Sequence, residues 1–269
     1  MEYDYEKFKQ VIFQMTGINL TDYKEKQMKR RIDSLIIKRG FANYEEYVFK
    51  GLKADKIIYD EFINYITINV SEFYRNPRQW ETLEKDILPV LLKKNRNLRI
   101  WSAACSTGEE PYSLVMLLSK FMPLNQIRIM ATDIDKEILN KAKAGLYNSK
   151  SFESLPKEFI SAYFDKEGEL YKVRDEIKRC VDFQNHNLLA DKYPENLDLI
   201  ICRNVLIYFT EEAKSTVYDK FSNSLKTGGV LFVGSTEQII MASRYKFKSN
   251  YTFFYEKEAE SSYTPNSMF

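Results

Sequence analysis

Four groups of polar residues, three of them beside an apolar run, carry the chemistry open to this sequence. The first is Glu109 and Glu110, in Leu98–Ser113 (LRIWSAACSTGEEPYS). Leu98, Ile100 and Trp101 read as a buried strand. The small residues Ser102 to Gly108 read as a tight turn, and Leu114, Val115, Leu117 and Leu118 as the apolar face of a helix. Strand, small-residue turn and helix is how an open α/β sheet lets a ligand approach its backbone at the carboxyl ends of the strands. A phosphate cradle in that place wants bare N–H groups and basic side chains, whereas two acids repel a pyrophosphate. Carboxylates suit a ligand with cationic groups or ribose hydroxyls. Neither G-x-G-x-x-G nor G-x-x-x-x-G-K-[ST] spacing occurs here, which weakens the dinucleotide and nucleoside-triphosphate readings; a plain turn with surface acids is the alternative.

The second group is Asp133 and Asp135 in ATDID, about 25 residues past the glycine turn. An acid just beyond the second strand accepts hydrogen bonds from ribose hydroxyls in nucleotide-binding α/β folds, and Asp133 is better placed for this than Asp135. Capping of the next helix by Asp133 is the other possibility. The third group, Arg203, Asn204 and Tyr208, follows the buried run LDLII in ICRNVLIYF. Arg is the natural bidentate partner of a carboxylate, and a phenol five residues on could reach the same group. A surface salt bridge for Arg203 and simple core burial for Tyr208 are the alternatives. Fourth, Asn69, Ser71, Phe73 and Arg75 alternate as N-x-S-x-F-x-R, which places them on one side of an extended segment able to close over a ligand.

The elements that must hold these residues fall into two regions. Residues 1 to about 70 read as helices: Phe8, Val11, Ile12 and Met15 share a face and stop at Gly17. A second helix, capped at Asn19 or Thr21, carries Met28, Ile32, Leu35 and Ile36 and ends near Gly40. A third runs from Asn43 through Tyr44, Tyr47 and Val48 to Gly51, and a fourth covers Ile57 to Ile66. Ile68–Trp80 is a linker and Pro77 opens the next helix. From Leu98 strands and helices alternate: strand Ile127–Ala131, helix Ile134–Ala144, strand Leu197–Cys202, helix Glu211–Leu225, a turn at Thr227–Gly229, strand Val230–Val233. Lys246–Lys248 and Thr252–Tyr255 predict a closing antiparallel pair turning at Ser249–Asn250. This order predicts a doubly wound α/β sheet. Residues 145–185 interrupt it with a short helix and a small antiparallel ribbon inserted at the sheet edge, and 258–269 reads as a disordered tail.

Composition narrows the function classes. A net charge of +2 on 269 residues gives no global field toward nucleic acid or an anionic membrane. No apolar run nears the roughly 18 residues of a membrane helix. The opening MEYDYEKFKQ is acidic and amphipathic, unlike a secretory signal, and the chain reads as cytoplasmic. Cys105, Cys180 and Cys202 form no C-x-x-C pair, which fits buried thiols and argues against zinc. The single histidine, His186, excludes multi-His metal sites and reads as a polar loop residue. The second helix is one-sidedly basic, with Lys24, Lys26, Lys29, Arg30, Arg31, Lys38 and Arg39 against Glu25 and Asp33. It suits an acidic partner, and without interleaved aromatics a protein surface fits better than nucleic acid.

The chain resembles the bacterial chemotaxis receptor methyltransferases, the CheR-type family. The resemblance rests on N-x-[ST]-x-F-[FY]-R, W-S-A-A-x-S-T-G-E-E-P-Y-S, D-I-D, N-L-L ahead of LDLIICRNVLIYF, and G-G-x-L-F-x-G. It implies a class I S-adenosylmethionine methyltransferase sheet preceded by an all-α domain, with helical receptor docking over 1–70, linker and first helix over 71–90, and the catalytic domain over 91–257. It implies methyl transfer from S-adenosylmethionine to chemoreceptor glutamates, leaving S-adenosylhomocysteine, with no metal, no nucleic acid and a monomeric enzyme that meets the membrane only through the receptor. By motif it places Asn69, Ser71, Arg75, Glu110, Asp133, Asn187, Leu188, Arg203 and Asn204 at the cofactor, and Arg203 and Tyr208 at the reacting groups. It places Lys26, Lys29, Arg30, Arg31, Lys38 and Arg39 on a receptor-docking helix. The inserted ribbon resembles the family's β-subdomain, here with a short turn around Asp165–Leu170. A methyltransferase of the same fold with another protein or small acid as substrate, and a non-catalytic adapter that senses the cofactor or its product, are the alternative readings.

Overall fold

A computed structural model describes residues 4–259; the tail expected to be disordered lies outside the described residues apart from Glu258 and Ala259. The strands are β1 Ile100–Ala103, β2 Ile129–Asp133, β3 Leu146–Asn148, β4 Phe164–Glu167, β5 Leu170–Val173, β6 Val181–Asn185, β7 Leu197–Cys202, β8 Leu225–Val233, β9 Phe247–Tyr251 and β10 Phe254–Lys257. Seven form one sheet in the order β6-β2-β1-β7-β8-β10-β9, and β3-β5-β4 form a small second sheet. Strands β6 to β8 pair in parallel and the closing hairpin is antiparallel. This is the doubly wound α/β fold that the alternation predicts.

The central strands are buried on both faces, as a sheet covered by helices on each side requires. Along β7, Leu197, Ile200 and Cys202 enter one core, and Leu199 and Ile201 the other. The first core also contains the N-terminal helices: Phe8, Ile12, Ile32, Leu35, Tyr47 and Phe62 belong to the same cluster as Trp101, Ile200 and Phe221. The all-α region therefore shares its interior with one face of the sheet.

Those helices are Tyr5–Thr16, Glu25–Lys38, Tyr44–Glu46 continuing into π-helical Tyr47–Leu52, and Lys56–Thr67. Asp4 caps the first and left-handed Gly17 ends it. The second starts later than its sequence predicts. Asn19 caps only a single 3-10 turn, Leu20–Asp22, and the chain stays extended at Tyr23, which bridges Phe209. Backbone hydrogen bonds explain the delay, because the Lys24 N–H donates to the Tyr208 carbonyl and the Thr210 N–H to that of Asp22.

Three other expectations shift. Residues 145–185 divide: β3–β5 make the small sheet, but Val181–Asn185 pairs with β2 as the edge of the main sheet. The predicted turn Thr227–Gly229 lies inside β8 as an irregularity, where Gly229 sits so close to β7 that a Cβ would meet the Leu197 carbonyl at 2.9 Å. The last hairpin turns at Thr252–Phe253, not Ser249–Asn250. Asn250 stays in β9 because its amide donates to Glu256 Oε2 across the hairpin at 2.7 Å.

Candidate active site

The loop after β1 does what its small residues suggest. Ala104, Ser106 and Gly108 all have positive φ, which coils the chain tightly before the helix Glu109–Leu118. A Cβ on Gly108 would press on Ala142, Tyr112 and Tyr147 at 3.0–3.2 Å, so glycine is required there. The two acids then separate. Glu109 is buried and accepts the Thr107 hydroxyl at 2.6 Å, away from the cleft. Glu110 lines the cleft, accepting the Ser102 hydroxyl at 2.8 Å.

Arg203, just past β7, is buried rather than a surface salt bridge. Its Nη2 donates to the Arg75 carbonyl at 2.7 Å, Gln79 Oε1 at 2.7 Å and Asn76 Oδ1 at 3.1 Å. Its guanidinium lies 4.8 Å from the Phe232 ring centre. Nη1 faces Glu110 Oε2 at 3.8 Å, with side-chain exposures of 3% and 12%. At that distance the ions attract without a hydrogen bond, and burial outweighs the attraction for both. Burial pushes the Glu110 carboxyl up to about 7 although Arg203 opposes the shift. Burial likewise lowers the guanidinium's proton affinity. Arg203 Nε is buried without a partner.

Asp133 stays in β2 and points its carboxylate across the loop. Oδ2 accepts from the Ser106 N–H at 2.8 Å and Oδ1 from the Asp135 N–H at 3.0 Å. Burial raises its carboxyl to about 6. The helix cap is Asp135, whose Oδ1 accepts from the Glu137 and Ile138 N–H groups. Its other oxygen accepts from Asn69 Nδ2 at 3.2 Å and Thr67 Oγ1 at 3.3 Å, tying the last N-terminal helix to the sheet.

The expected one-sided strip Asn69, Ser71, Phe73, Arg75 does not form. Positive φ at Ile68, Tyr74 and Asn76 bends the segment. Asn69, Ser71 and Arg75 line the cleft. Phe73 leaves them and inserts among Tyr147, Phe152 and Phe164 of the inserted unit, with ring centres 4.8–5.3 Å apart. Its apolar ring gains more from burial than from facing polar neighbours.

Asn187, Leu188, Asn204 and Tyr208 complete the cleft, so every residue expected at the cofactor or the reacting groups lines one cavity. Asn204 has a positive φ, and the half-buried Tyr208 hydroxyl has no hydrogen-bond partner among the described residues. Sequence reasoning missed Tyr23, Ile66 and Thr67, which the N-terminal region brings to the same cavity. His186 is a loop residue, as expected, but it also lines the cleft, with its ring against Trp101 and Tyr193. Glu237 went unnoticed as well; it accepts N–H bonds from the loop carrying Asn204, although it follows a buried strand just as Arg203 does.

The family model described as "CheR methyltransferase, SAM binding domain" matches residues 69–253, and the "CheR methyltransferase, all-alpha domain" model matches residues 3–67. The chain belongs to the CheR methyltransferase family. A chemotaxis protein methyltransferase of Listeria innocua is 45% identical over 96% of this chain and 98% of its own length. Those of Borreliella burgdorferi and Escherichia coli are 35% and 33% identical, covering 88% and 87% of this chain and 91% and 83% of theirs. Membership makes this a methyltransferase with an S-adenosylmethionine-binding domain. The cleft fits that cofactor: two buried carboxylates with raised proton affinity suit a cationic ligand with hydroxyls, and of the arginines in the lining Arg203 already donates to Arg75, Asn76 and Gln79.

The basic helix Glu25–Lys38 is less free than its sequence implies. Lys29 pairs with Asp33 at 2.9 Å, Arg31 donates to the Tyr65 carbonyl and stacks on its ring, and Lys38 and Arg39 both pair with Glu61. Lys26 and Arg30 are exposed with no ion pair among the described residues. The three cysteines are free and buried. Among the described residues no cluster could hold a metal, and no helix is long and apolar enough to cross a membrane.

Proposed function

We propose that this CheR family member transfers a methyl group from S-adenosylmethionine to glutamate side-chain carboxylates on chemoreceptors, forming methyl esters. The observation that carries the reading is the cleft itself, where Glu110, Asp133, Arg203 and Tyr208 line one cavity. In this reading Glu110 holds the cofactor's ammonium and Asp133 its ribose. Asn69, Ser71, Arg75 and Asn204 enclose it, and Asn187 and Leu188 flank its base. When bound, S-adenosylmethionine supplies the electrophilic methyl group.

A glutamate carboxylate, with an ordinary pKa of about 4.3, is already an anion at neutral pH, so no residue has to remove a proton. The chain's task is then to orient the carboxylate and exclude water, worth up to about 7–11 kcal/mol in well-aligned cases. Tyr208 offers its free hydroxyl to the carboxylate. Arg203 acts mainly from beneath: Nη2 is committed to three acceptors and Nε is buried, so Nη1 is the edge left for Glu110 and for the incoming anion. Loose binding is useful here, because the carboxylate's charge disappears in the reaction and tight ground-state binding would raise the barrier. Lys26 and Arg30 supply the exposed charge that meets an acidic receptor surface, whose relatives' names place them in chemotaxis.

Radiolabelled methyl transfer to receptor-enriched membranes tests the reading. Base-labile label mapping to receptor glutamates is expected. Base-stable label, or label on another protein, moves the substrate elsewhere, and cofactor binding without transfer leaves an adapter.

A further inference from the structure

We infer that Glu237 is the positioning residue of the active-site loop, holding the backbone of Asn204, Leu206 and Ile207 and so setting Asn204 and the adjoining Tyr208 in register. Its carboxylate, buried past the end of β8, accepts four backbone N–H groups. Oε2 takes Asn204 at 2.6 Å and Gly234 at 2.9 Å; Oε1 takes Leu206 at 2.8 Å and Ile207 at 3.3 Å. Three of these donors belong to the one short loop between β7 and the following helix, which begins at Glu211. That loop has no strand or long helix to satisfy its N–H groups, and Asn204 is in the left-handed region. An unpaired buried N–H is costly, so the loop's path is set by whatever accepts those bonds. The backbone bonds to other segments that remain fix its far end, where Tyr208 and Thr210 meet the Asp22–Lys24 segment.

Gly234 belongs to the same device. A Cβ there would stand 2.5 Å from Glu237 Oε2 and 3.0 Å from the Asn204 nitrogen, so glycine is what lets the carboxylate reach the loop. Arg203's side chain is gripped separately by Arg75, Asn76 and Gln79. Loss of Glu237 therefore loosens the Asn204–Tyr208 backbone while Glu110, Asp133 and the Arg203 head group keep their own partners. Glutamine is not a neutral replacement: its amide NH2 would face backbone donors in place of an acceptor oxygen.

The inference rests on the methyltransferase reading for its kinetic arm only. In Glu237→Gln, kcat at saturating cofactor should fall at least about tenfold while the cofactor KM changes less than about threefold, since small misplacements of a positioned group cost rate first. Glu237→Asp, which keeps the charge and acceptors, should recover part of the loss. Amide hydrogen exchange over 204–208 should speed up in Glu237→Gln relative to wild type, with the rest of the sheet unchanged. Wild-type kcat with unaltered exchange at 204–208 overturns the inference. So does a fall in kcat matched by an equal rise in KM and a general loss of protection, which would mean a merely structural role. Should Glu237→Gln not fold, Gly234→Ala displaces the same carboxylate and is read the same way. A wild-type chain that transfers no methyl group refutes the proposed activity and leaves the exchange experiment to decide the loop's anchor.

Discussion

Replacing Glu110 with Gln removes the carboxylate whose proton burial holds up to about 7, against an ordinary value of 4.5. A cationic cofactor binds the ionised form. The proton must therefore leave first at any pH below that value, and affinity is lost as pH falls through it. For one such group the apparent dissociation constant grows about tenfold between about pH 8 and about pH 6, or about 1.4 kcal/mol. Asp133, raised to about 6, adds about a further factor of two over the same range. Wild type should thus bind S-adenosylhomocysteine about twentyfold more weakly at about pH 6 than at about pH 8, and release about half a proton per ligand near pH 7. Glu110→Gln should bind about 10- to 100-fold more weakly at about pH 8, the size of a lost charge-assisted bond, and show only the shallow Asp133 limb. Calorimetric titration across this pH range, in buffers of different ionisation enthalpy, measures both the slope and the proton. A pH-independent affinity in wild type, or an unchanged affinity in Glu110→Gln, would refute the assignment of Glu110 to the ammonium.

Asp133→Asn keeps the shape of the carboxylate but gives up one charged acceptor; cofactor affinity by calorimetry should fall about 10- to 100-fold, and an unchanged value removes Asp133 from the ribose. Lys26→Glu with Arg30→Glu should weaken binding to receptor helices more at low than at high salt, without lowering the melting temperature; equal effects at both salts count against docking. Arg31→Glu is expected instead to destabilise the fold, because Arg31 is spent on Tyr65. Phe73→Ala empties a ring site shared by Tyr147, Phe152 and Phe164 and should cost about 3–5 kcal/mol in denaturant unfolding.

Much of the site was legible because it obeys a positional rule. Residues just beyond the carboxyl ends of parallel strands face the crevice, and the apolar runs before Glu110, Asp133 and Arg203 are easily seen. Glu237 satisfies the same rule after β8, but its G-S-T-E lacks the two-acid or Arg-Tyr pairing that suggests chemistry, and its partners are backbone N–H groups that no side-chain pattern announces. Tyr23, from the extended link between two helices, and Thr67, from a helix end, are distant in sequence and reach the cleft only because the helical region and the sheet share one core.

The sequence by itself determined the alternation of elements, the tight turn before Glu109, and the residue types at the strand ends, since these are properties of local spacing and of side chains. Tertiary structure alone decided which of two adjacent acids enters the cleft, that Asp135 rather than Asp133 caps a helix, that Phe73 turns from the cleft into the inserted sheet, and that most of a basic helix is already paired. The local partners are Thr107 for Glu109, the helix N–H groups for Asp135 and Asp33 for Lys29, but the choice among them is settled by distant ones: Arg203 facing Glu110, Ser106 N–H on Asp133, the rings around Phe73, and Tyr65 and Glu61 on the basic helix. Local sequence carries no record of where such a partner lies.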